Sequence, residues 1–167
     1  LELIEVDYEV LPHVIDVDEA MAPGAPILHD WIKTKGVEGP SNITNIMTVK
    51  TGDVDAGFAN ADVVIERSFK SAAVHQGYIE PQACCVSYKP DAQSTVWSSS
   101  QGQFMVRNLT ALITGMATGD IKAIPAEIGG GFGGKTIIFL EPLAMVLSRK
   151  TGRPVKMQHT REDVFHG

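Results

Sequence analysis

A glycine-rich segment at residues 127–136, with the sequence EIGGGFGGKT, constrains the fold of this chain more than any other feature. Its glycines match the dinucleotide-binding pattern G-x-G-x-x-G, and together with Lys135 and Thr136 they also match the phosphate-binding pattern G-x-x-x-x-G-K-[ST]. Five glycines in six positions lose backbone entropy on folding, so we expect a ligand or another chain segment to lie against this main chain. Unshielded peptide N–H groups followed by a predicted helix favour the binding of a phosphate or another oxyanion.

The residues around the two nucleotide-binding patterns do not complete either of them. A P-loop enzyme needs further parallel strands, one ending in a magnesium-binding aspartate, and only 31 residues follow Thr136. A dinucleotide site needs an acid about 20 residues past the glycines. Residues 154–159 contain none, although Arg161 offers a partner for a ribose phosphate. A nucleotide-binding domain for NAD or ATP is therefore the alternative interpretation, beside glycines that pack a helix against a strand without a ligand.

Composition indicates a globular protein of the reducing cytoplasm. The 167 residues are 44% hydrophobic and 20% charged, and the net charge of −6 argues against a nucleic-acid-binding surface. No stretch approaches the roughly 18 apolar residues that a membrane span needs. The only cysteines, Cys84 and Cys85, are neighbours that cannot close a useful loop, so we expect them to be small core residues. The chain begins inside a strand pattern and stops just after a helix start, which predicts a piece of a longer polypeptide.

Hydrophobic periodicity predicts an α+β fold of mixed or antiparallel strands with two main helices. The two main helices are predicted at residues 105–116 and 137–149, and Asp53 is expected to cap a short helix at residues 54–60. A second short helical turn is expected at residues 16–21. The predicted strands are residues 3–10, 42–50, 61–71, 121–128 and 154–159, together with a hairpin formed by residues 83–88 and 94–99.

Five motifs along the chain resemble, in order and spacing, the molybdopterin-binding large subunit of the xanthine dehydrogenase and aldehyde oxidase family of molybdenum hydroxylases. These are HQGYIEP at residues 75–81, VWSSSQ at 96–101, IGGGFGGK at 128–135, GRPVK at 152–156 and RED at 161–163. The sequence VDYEVLP at residues 6–12 is similar to the end of the small domain that precedes the cofactor domain in that family. The resemblance implies that residues 1–40 are the tail of that small domain with a linker. It also implies that residues 41–167 are the N-terminal part of the molybdopterin-binding domain.

The resemblance also implies roles for particular residues in binding molybdopterin, the molybdenum cofactor. Gln101 is expected to donate from its amide to a ligand of the molybdenum, and Phe132 to turn its main-chain amide to the same ligand. The main chain of the glycine loop is expected to hold the cofactor. Thr136 takes the position at which purine-oxidising members carry a substrate-binding glutamate, which argues against purine recognition of that type and leaves aldehydes and other N-heterocycles. The cofactor-binding residues implied are thus Gln101, Gly130, Gly131, Phe132 and Gly133.

The family hydroxylates a carbon atom with oxygen from water, and its general-base glutamate lies far beyond residue 167 in the family's order. The resemblance therefore implies no catalytic residue within this chain, which by itself is expected to be inactive. Iron–sulfur clusters and FAD, on other domains or subunits, are the implied electron carriers. His75, Tyr78 and Glu80 are expected to be structural, and Lys135 to support the glycine loop.

Overall fold

A computed structural model describes residues 3–166 of the chain. The chain divides into two compact units, Leu1–Ser68 and Phe69–Gly167. Among residues 3–166, no helix is both long enough and apolar enough to cross a lipid bilayer. The division of the chain after residue 40 into two domains stays a prediction.

The first unit contains the two short helices that the sequence predicts, and an aspartate caps each of them, at Asp53 as expected and also at Asp16. Helix α1 spans Val17–Met21, and the Asp16 carboxylate accepts hydrogen bonds from the first turn. Helix α2 spans Val54–Ala59, and the Asp53 side chain accepts from the main-chain N–H of Ala56 at 3.0 Å. In both helices the carboxylate satisfies N–H groups that have no partner inside the helix.

The three strands predicted at residues 3–10, 42–50 and 61–71 are wrong for this chain. The described residues before Ala83, which include all three segments, contain no β-strand. Alternation of apolar and polar side chains indicates only that one face of an extended segment is apolar. A strand also needs a neighbouring backbone to pair with, and the described residues bring none to these segments.

The second unit is built on a four-stranded mixed sheet with strand order β3-β2-β1-β4. Strands β1 and β2 form the predicted hairpin, and β1 also pairs antiparallel with β4, whereas β2 pairs in parallel with β3. The predicted α+β class with mixed strands is therefore confirmed. The strands are β1, Ala83–Ser87; β2, Ser94–Ser98; β3, Ile121–Pro125; and β4, Val155–Gln158.

Two long helices, α3 (Gln103–Thr114) and α4 (Glu141–Thr151), pack against each other and against the sheet. Their buried side chains join those of the sheet in one hydrophobic core. A single turn of 3-10 helix, Thr118–Asp120, precedes β3, and a short helix α5, Arg161–His166, follows β4. The core residues include Val86, Val96, Val106, Ile121 and Met145, which are at most 1% exposed.

Helix α4 begins at Glu141, four residues later than the predicted start at residue 137. The reason is Pro142, which lies in the first turn of the observed helix. A helix that began at residue 137 would place Pro142 in its interior, where the ring clashes with the carbonyl four residues earlier. The first turn is the one place in a helix that tolerates proline. The segment between the glycine loop and α4 is therefore not helical.

Candidate cofactor-binding loop

The glycine loop, residues 129–136, lies between strand β3 and helix α4, and one carboxylate holds both of its ends. Glu80 Oε2 accepts a hydrogen bond from the main-chain N–H of Gly129 at 2.9 Å, and the same atom lies 2.6 Å from Lys135 Nζ. The main-chain N–H of Glu80 in turn donates to Gly129 O at 3.3 Å. The HQGYIEP segment thus fixes the loop through Glu80.

Lys135 is fully buried, at 1% exposure, and its ammonium group is directed at Glu80 and at the ring of Tyr78, whose centroid lies 5.0 Å away. A P-loop lysine must instead reach the phosphates of a nucleotide. The helix expected directly after the loop is also absent, because α4 begins six residues after Lys135. The helix that both nucleotide-binding patterns need directly after the loop is therefore missing, and the nucleotide-binding alternative is not favoured.

Gln101 supports the opposite side of the loop with its side-chain amide. Its Oε1 accepts from the main-chain N–H of Gly133 at 3.1 Å and from that of Lys135 at 3.3 Å. Both partners are donors, so the atom that faces the loop is the oxygen. The amide nitrogen is left as a donor that the loop does not use. The main-chain N–H of Gln101 also donates to Lys135 O at 2.8 Å.

Three of the five glycines are required because this chain's own side chains lie against them. A Cβ atom on Gly129 would be 2.7 Å from Glu80 Cβ, and a Cβ on Gly131 would be 2.5 Å from Gln101 Oε1. A Cβ on Gly134 would be 2.7 Å from the ring of Tyr78. The chain segment that the sequence predicts against this main chain is therefore formed by HQGYIEP and by the end of VWSSSQ.

The middle of the loop has an unusual backbone conformation. Gly130 and Gly133 have φ values of 93° and 92°, and Phe132, with φ of 49°, is the only residue other than glycine with positive φ between residues 3 and 166. A left-handed conformation is strained for a residue with a Cβ, and such strain is concentrated at functional sites. The Phe132 ring is 74% exposed, so burial of the ring within this chain does not explain the strain.

The main-chain N–H groups of Gly130, Gly131 and Phe132 make no hydrogen bond within the described part of the chain, whereas Gly129, Gly133, Gly134 and Lys135 all donate. Consecutive free N–H groups in a turn form a concave site that favours anions and electron-rich ligands. A Cβ on Gly133 would meet no atom within 4 Å, so the main chain is also accessible there. The loop can therefore bind a ligand that carries several hydrogen-bond acceptors.

Two further predicted residues lie at this site. The Thr136 hydroxyl donates to Gly133 O at 3.1 Å, which fixes the side chain against the loop. Arg161, for which the sequence suggested only a ribose-phosphate partner in the dinucleotide alternative, donates to Tyr78 O at 2.9 Å and also to Ile79 O. Its guanidinium group thus holds the main chain immediately before Glu80. The RED motif singled out Arg161 in the sequence, but only the fold shows which carbonyl groups its guanidinium group contacts.

The glycine loop, the contacts of Glu80 and Gln101 that hold it, and the mixed sheet together define a cofactor-binding domain. Over residues 36–167 the chain matches the family described as the molybdopterin cofactor-binding domain, and it belongs to that family. The match confirms the resemblance that the motifs indicate, and with it the cofactor class.

Known proteins similar to this chain include oxidoreductases of several substrates. The probable hypoxanthine oxidase XdhD of Escherichia coli is 33% identical over 99% of this chain, which corresponds to 20% of the relative. The solved CO dehydrogenase of Oligotropha carboxidovorans is 37% identical with a TM-score of 0.77, over 96% of this chain and 21% of that one. The aldehyde oxidoreductase of Desulfovibrio gigas is 26% identical with a TM-score of 0.79, over 96% and 17%. The chain thus spans about a fifth of the length of these relatives.

Proposed function

We propose that this chain forms one wall of the molybdopterin site in a molybdenum hydroxylase that oxidises an aldehyde or an N-heterocycle. The observation that carries the proposal is the row of free main-chain N–H groups at Gly130, Gly131 and Phe132. They lie on a strained loop whose two ends are fixed by Glu80 and Gln101. The ligand therefore meets donors that are already in place, and little ordering is needed on binding.

Each predicted cofactor-binding residue has a distinct part in this proposal. The amides of Gly130, Gly131 and Phe132 donate to the acceptor atoms of the cofactor, while Gly133 leaves room for it to approach the main chain. Gln101 uses Oε1 to hold the loop, so its amide nitrogen can donate to a ligand of the molybdenum. A neutral amide does this without adding charge beside the metal. Gln101 and Phe132 thus act on the molybdenum through its ligands.

When bound, the cofactor supplies the two-electron oxidation of the substrate. The net reaction converts a C–H bond and a water molecule into a C–OH group, two protons and two electrons. We propose that the electrons leave through iron–sulfur clusters and FAD on other domains or subunits, and that the general base is supplied by another part of the large subunit. The residues of this chain position the cofactor and, at Thr136, border the substrate.

The remainder of the large subunit is the proposed partner of the first unit. No hydrophobic side chain between residues 3 and 68 is buried, and those of Leu3, Ile15 and Val49 are each more than 80% exposed. Relatives about five times longer than this chain have enough polypeptide to cover such a surface. On this proposal residues 1–40 end a preceding small domain, residues 41–167 begin the cofactor domain, and the enzyme works in the cytoplasm.

The test is metal and cofactor analysis of the longest natural polypeptide that contains this chain. Molybdenum is measured by elemental mass spectrometry and pterin by fluorescence after oxidation, for the wild type and for Gln101→Glu, Gln101→Ala and Phe132→Ala. Gln101→Glu keeps an oxygen for the loop N–H groups and removes the amide donor, whereas Gln101→Ala removes both. Gln93→Ala, an exposed glutamine whose amide bonds Gly119 O, is the matched control.

The proposal predicts about one molybdenum per wild-type chain and hydroxylase activity that is impaired in the three site variants but not in Gln93→Ala. Gln101→Glu should lose activity with little loss of folding stability, whereas Gln101→Ala should lose both. A metal-free wild-type protein that binds ATP or NAD, isolated from cells that make the cofactor, would refute the proposal and favour the nucleotide-binding alternative.

A further inference from the structure

A cavity of about 270 Å³ lies where the glycine loop meets the HQGYIEP segment. The loop contributes Gly133, Gly134 and Thr136 to its walls, and the segment contributes Gln76 among other residues. Gly133 belongs to the accessible part of the loop main chain, and Thr136 is the position that the motif comparison assigns to substrate. A molecule in this cavity therefore lies beside the proposed cofactor, at the proposed substrate position.

The side-chain amide of Gln76 lies directly against the loop at Gly134. A Cβ atom on Gly134 would be 3.0 Å from both Cδ and Oε1 of Gln76, so the end of the side chain forms this contact. The backbone around Gln76 is held as well, because the main-chain N–H of Gly77 donates to His75 Nδ1 at 3.0 Å and closes a turn. Gln76 is exposed, and both it and Gly134 line the cavity. The amide group is therefore at the cavity wall, where a ligand can reach it.

Gln76 also has hydrogen-bonding capacity that this chain does not use. Its amide carries an acceptor and a donor, and it makes no hydrogen bond within residues 3–166. Other polar side chains of the wall do have partners inside the chain. The Gln82 amide donates to the hydroxyl group of Tyr78, and the Thr136 hydroxyl donates to the loop main chain. Gln76 is therefore the wall residue best placed to pair with a ligand.

The walls favour a neutral, planar ligand. Among residues 3–166, no aspartate, glutamate, lysine or arginine lines the cavity. The rings of His75, Tyr78 and Phe139 border it, and the centroids of the first two are 5.0 Å apart. Aromatic surfaces of this kind pack well against a flat ring. A primary amide pairs best with a group that offers a donor and an acceptor side by side, as a ring lactam does with its N–H and C=O.

We infer that Gln76 is a specificity-determining residue, whose Oε1 accepts a hydrogen bond from the ring N–H of a neutral lactam while its Nε2 donates to the lactam carbonyl oxygen. The inference rests on the proposed function, because it makes that lactam the substrate of the same site. It favours lactam rings over aldehydes, which have no such donor. Since Gln76 is exposed, water can replace a missing donor, and the discrimination is that of one ordinary hydrogen bond.

The test compares quinazolinone, a lactam, with N-methylquinazolinone, which keeps the carbonyl group and lacks the N–H donor. Dissociation constants are measured by isothermal titration calorimetry on the cofactor-loaded parent polypeptide, reduced and kept anaerobic so that neither probe is oxidised. The molybdenum content of each sample is determined in parallel. Gln76→Met removes the amide at nearly constant length, and Gln76→Glu keeps an acceptor. Gln93→Met repeats the first change outside the cavity.

The wild type is expected to bind quinazolinone about fivefold more tightly than its N-methyl counterpart, because the second probe lacks one hydrogen bond. Gln76→Met should bind the two probes equally, whereas Gln76→Glu and Gln93→Met should keep the preference. A preference caused by the bulk of the methyl group alone would persist in Gln76→Met. If Gln76→Met does not fold, Gln76→Ala takes its place with the same expected result.

Equal affinity for the two probes in the wild type, or binding of neither, would overturn the inference. A preference that persists in Gln76→Met, or one that is lost in Gln76→Glu or Gln93→Met, would overturn it as well. Each of these results with normal molybdenum content leaves the proposed function standing, whereas molybdenum-free wild-type protein contradicts the proposed function.

Discussion

At the scale of single residues, the ion pair between the buried Lys135 and the partly exposed Glu80 organises the glycine loop. Lys135 is 1% exposed and Glu80 is 32% exposed, so the two partners depend on each other unequally. An ammonium group buried without its carboxylate has no water to replace the lost partner. The carboxylate without its lysine still reaches solvent and still accepts from Gly129.

The variants Glu80→Gln and Lys135→Met should therefore differ in stability. Glu80→Gln is expected to lower the free energy of unfolding by about 3–5 kcal/mol, because it leaves a buried charge unpaired. Lys135→Met should cost less, and the double variant should be closer to Lys135→Met than to Glu80→Gln. Urea denaturation followed by tryptophan fluorescence measures all three. Equal losses in the two single variants would contradict the unequal dependence of Lys135 and Glu80 on each other.

Cys84 provides a second prediction at the residue scale. Burial, with a smaller contribution from Glu141, raises the pKa of the Cys84 thiol to about 12. At pH 8 only about one molecule in ten thousand then carries the reactive thiolate. Iodoacetamide should leave Cys84 unmodified in the native protein and label it in urea, as read by mass spectrometry, while the half-exposed Cys85 is labelled first. Rapid native labelling of Cys84 would contradict its place in the core.

The same raised pKa predicts how stability depends on pH. The folded state favours the neutral thiol, so this contribution is fully present below the ordinary cysteine pKa of 9.0 and is lost as the pH rises toward 12. The free energy of unfolding should fall over that range less steeply in Cys84→Ala than in the wild type. Equal slopes in urea titrations of the two proteins would contradict this linkage.

At the scale of elements, helix α4 is fastened to the sheet by one buried hydroxyl group. Ser148 is 1% exposed, its Oγ donates to Arg153 O at 2.7 Å, and it accepts from the main-chain N–H of Tyr88 at 2.9 Å. The first bond joins the end of α4 to the turn before β4, and the second joins α4 to the residue after β1. One side chain therefore sets how the helix meets two neighbouring strands.

Ser148→Ala is expected to lower the free energy of unfolding by about 1–3 kcal/mol, because it leaves two main-chain groups without their partner. Ser71→Ala, at an exposed position in the same unit, is the matched control and should change stability by no more than about 0.5 kcal/mol. Urea denaturation of both variants gives the comparison. A loss in Ser71→Ala as large as that in Ser148→Ala would contradict the role of the buried hydroxyl.

At the scale of the whole molecule, residues 3–68, the described part of the first unit, contain no buried hydrophobic side chain. The segments 3–10, 42–50 and 61–71, the last of which continues past Ser68 into the second unit, have strand-like sequences but no strand partners among the described residues. Side chains such as Val49 and Val63 are exposed. On the proposed function, strands and apolar surfaces from the remainder of the large subunit meet these segments.

Hydrogen–deuterium exchange tests this expectation directly. Amides in residues 3–10, 42–50 and 61–71 should be protected in the parent polypeptide and should exchange within seconds in the 167-residue chain, since only the parent supplies backbone partners. Amides of β1 and β2 should be protected in both proteins and serve as the internal reference. Equally fast exchange of the three segments in the parent would refute the proposed cover.

The sequence by itself determined the elements whose causes are local. The β1–β2 hairpin follows from two alternating segments joined by a short turn, and helix α3 follows from its apolar spacing. The Asp53 cap follows from the ability of its carboxylate to accept from the first turn of a helix. The motifs also determined the family, because their order and spacing are properties of the chain itself.

Only the tertiary structure decided which residues meet across long stretches of chain. Two contacts hold the glycine loop: Lys135 with Glu80, which is 55 positions away in sequence, and Lys135 with Gln101, which is 34 positions away. No local pattern specifies such pairs. The tertiary structure also decided that three glycines make room for this chain's own side chains. Strand pairing also depends on the tertiary structure. An alternation of apolar residues indicates which face of a segment can be buried, but the backbone that forms hydrogen bonds with that segment comes from elsewhere in the fold.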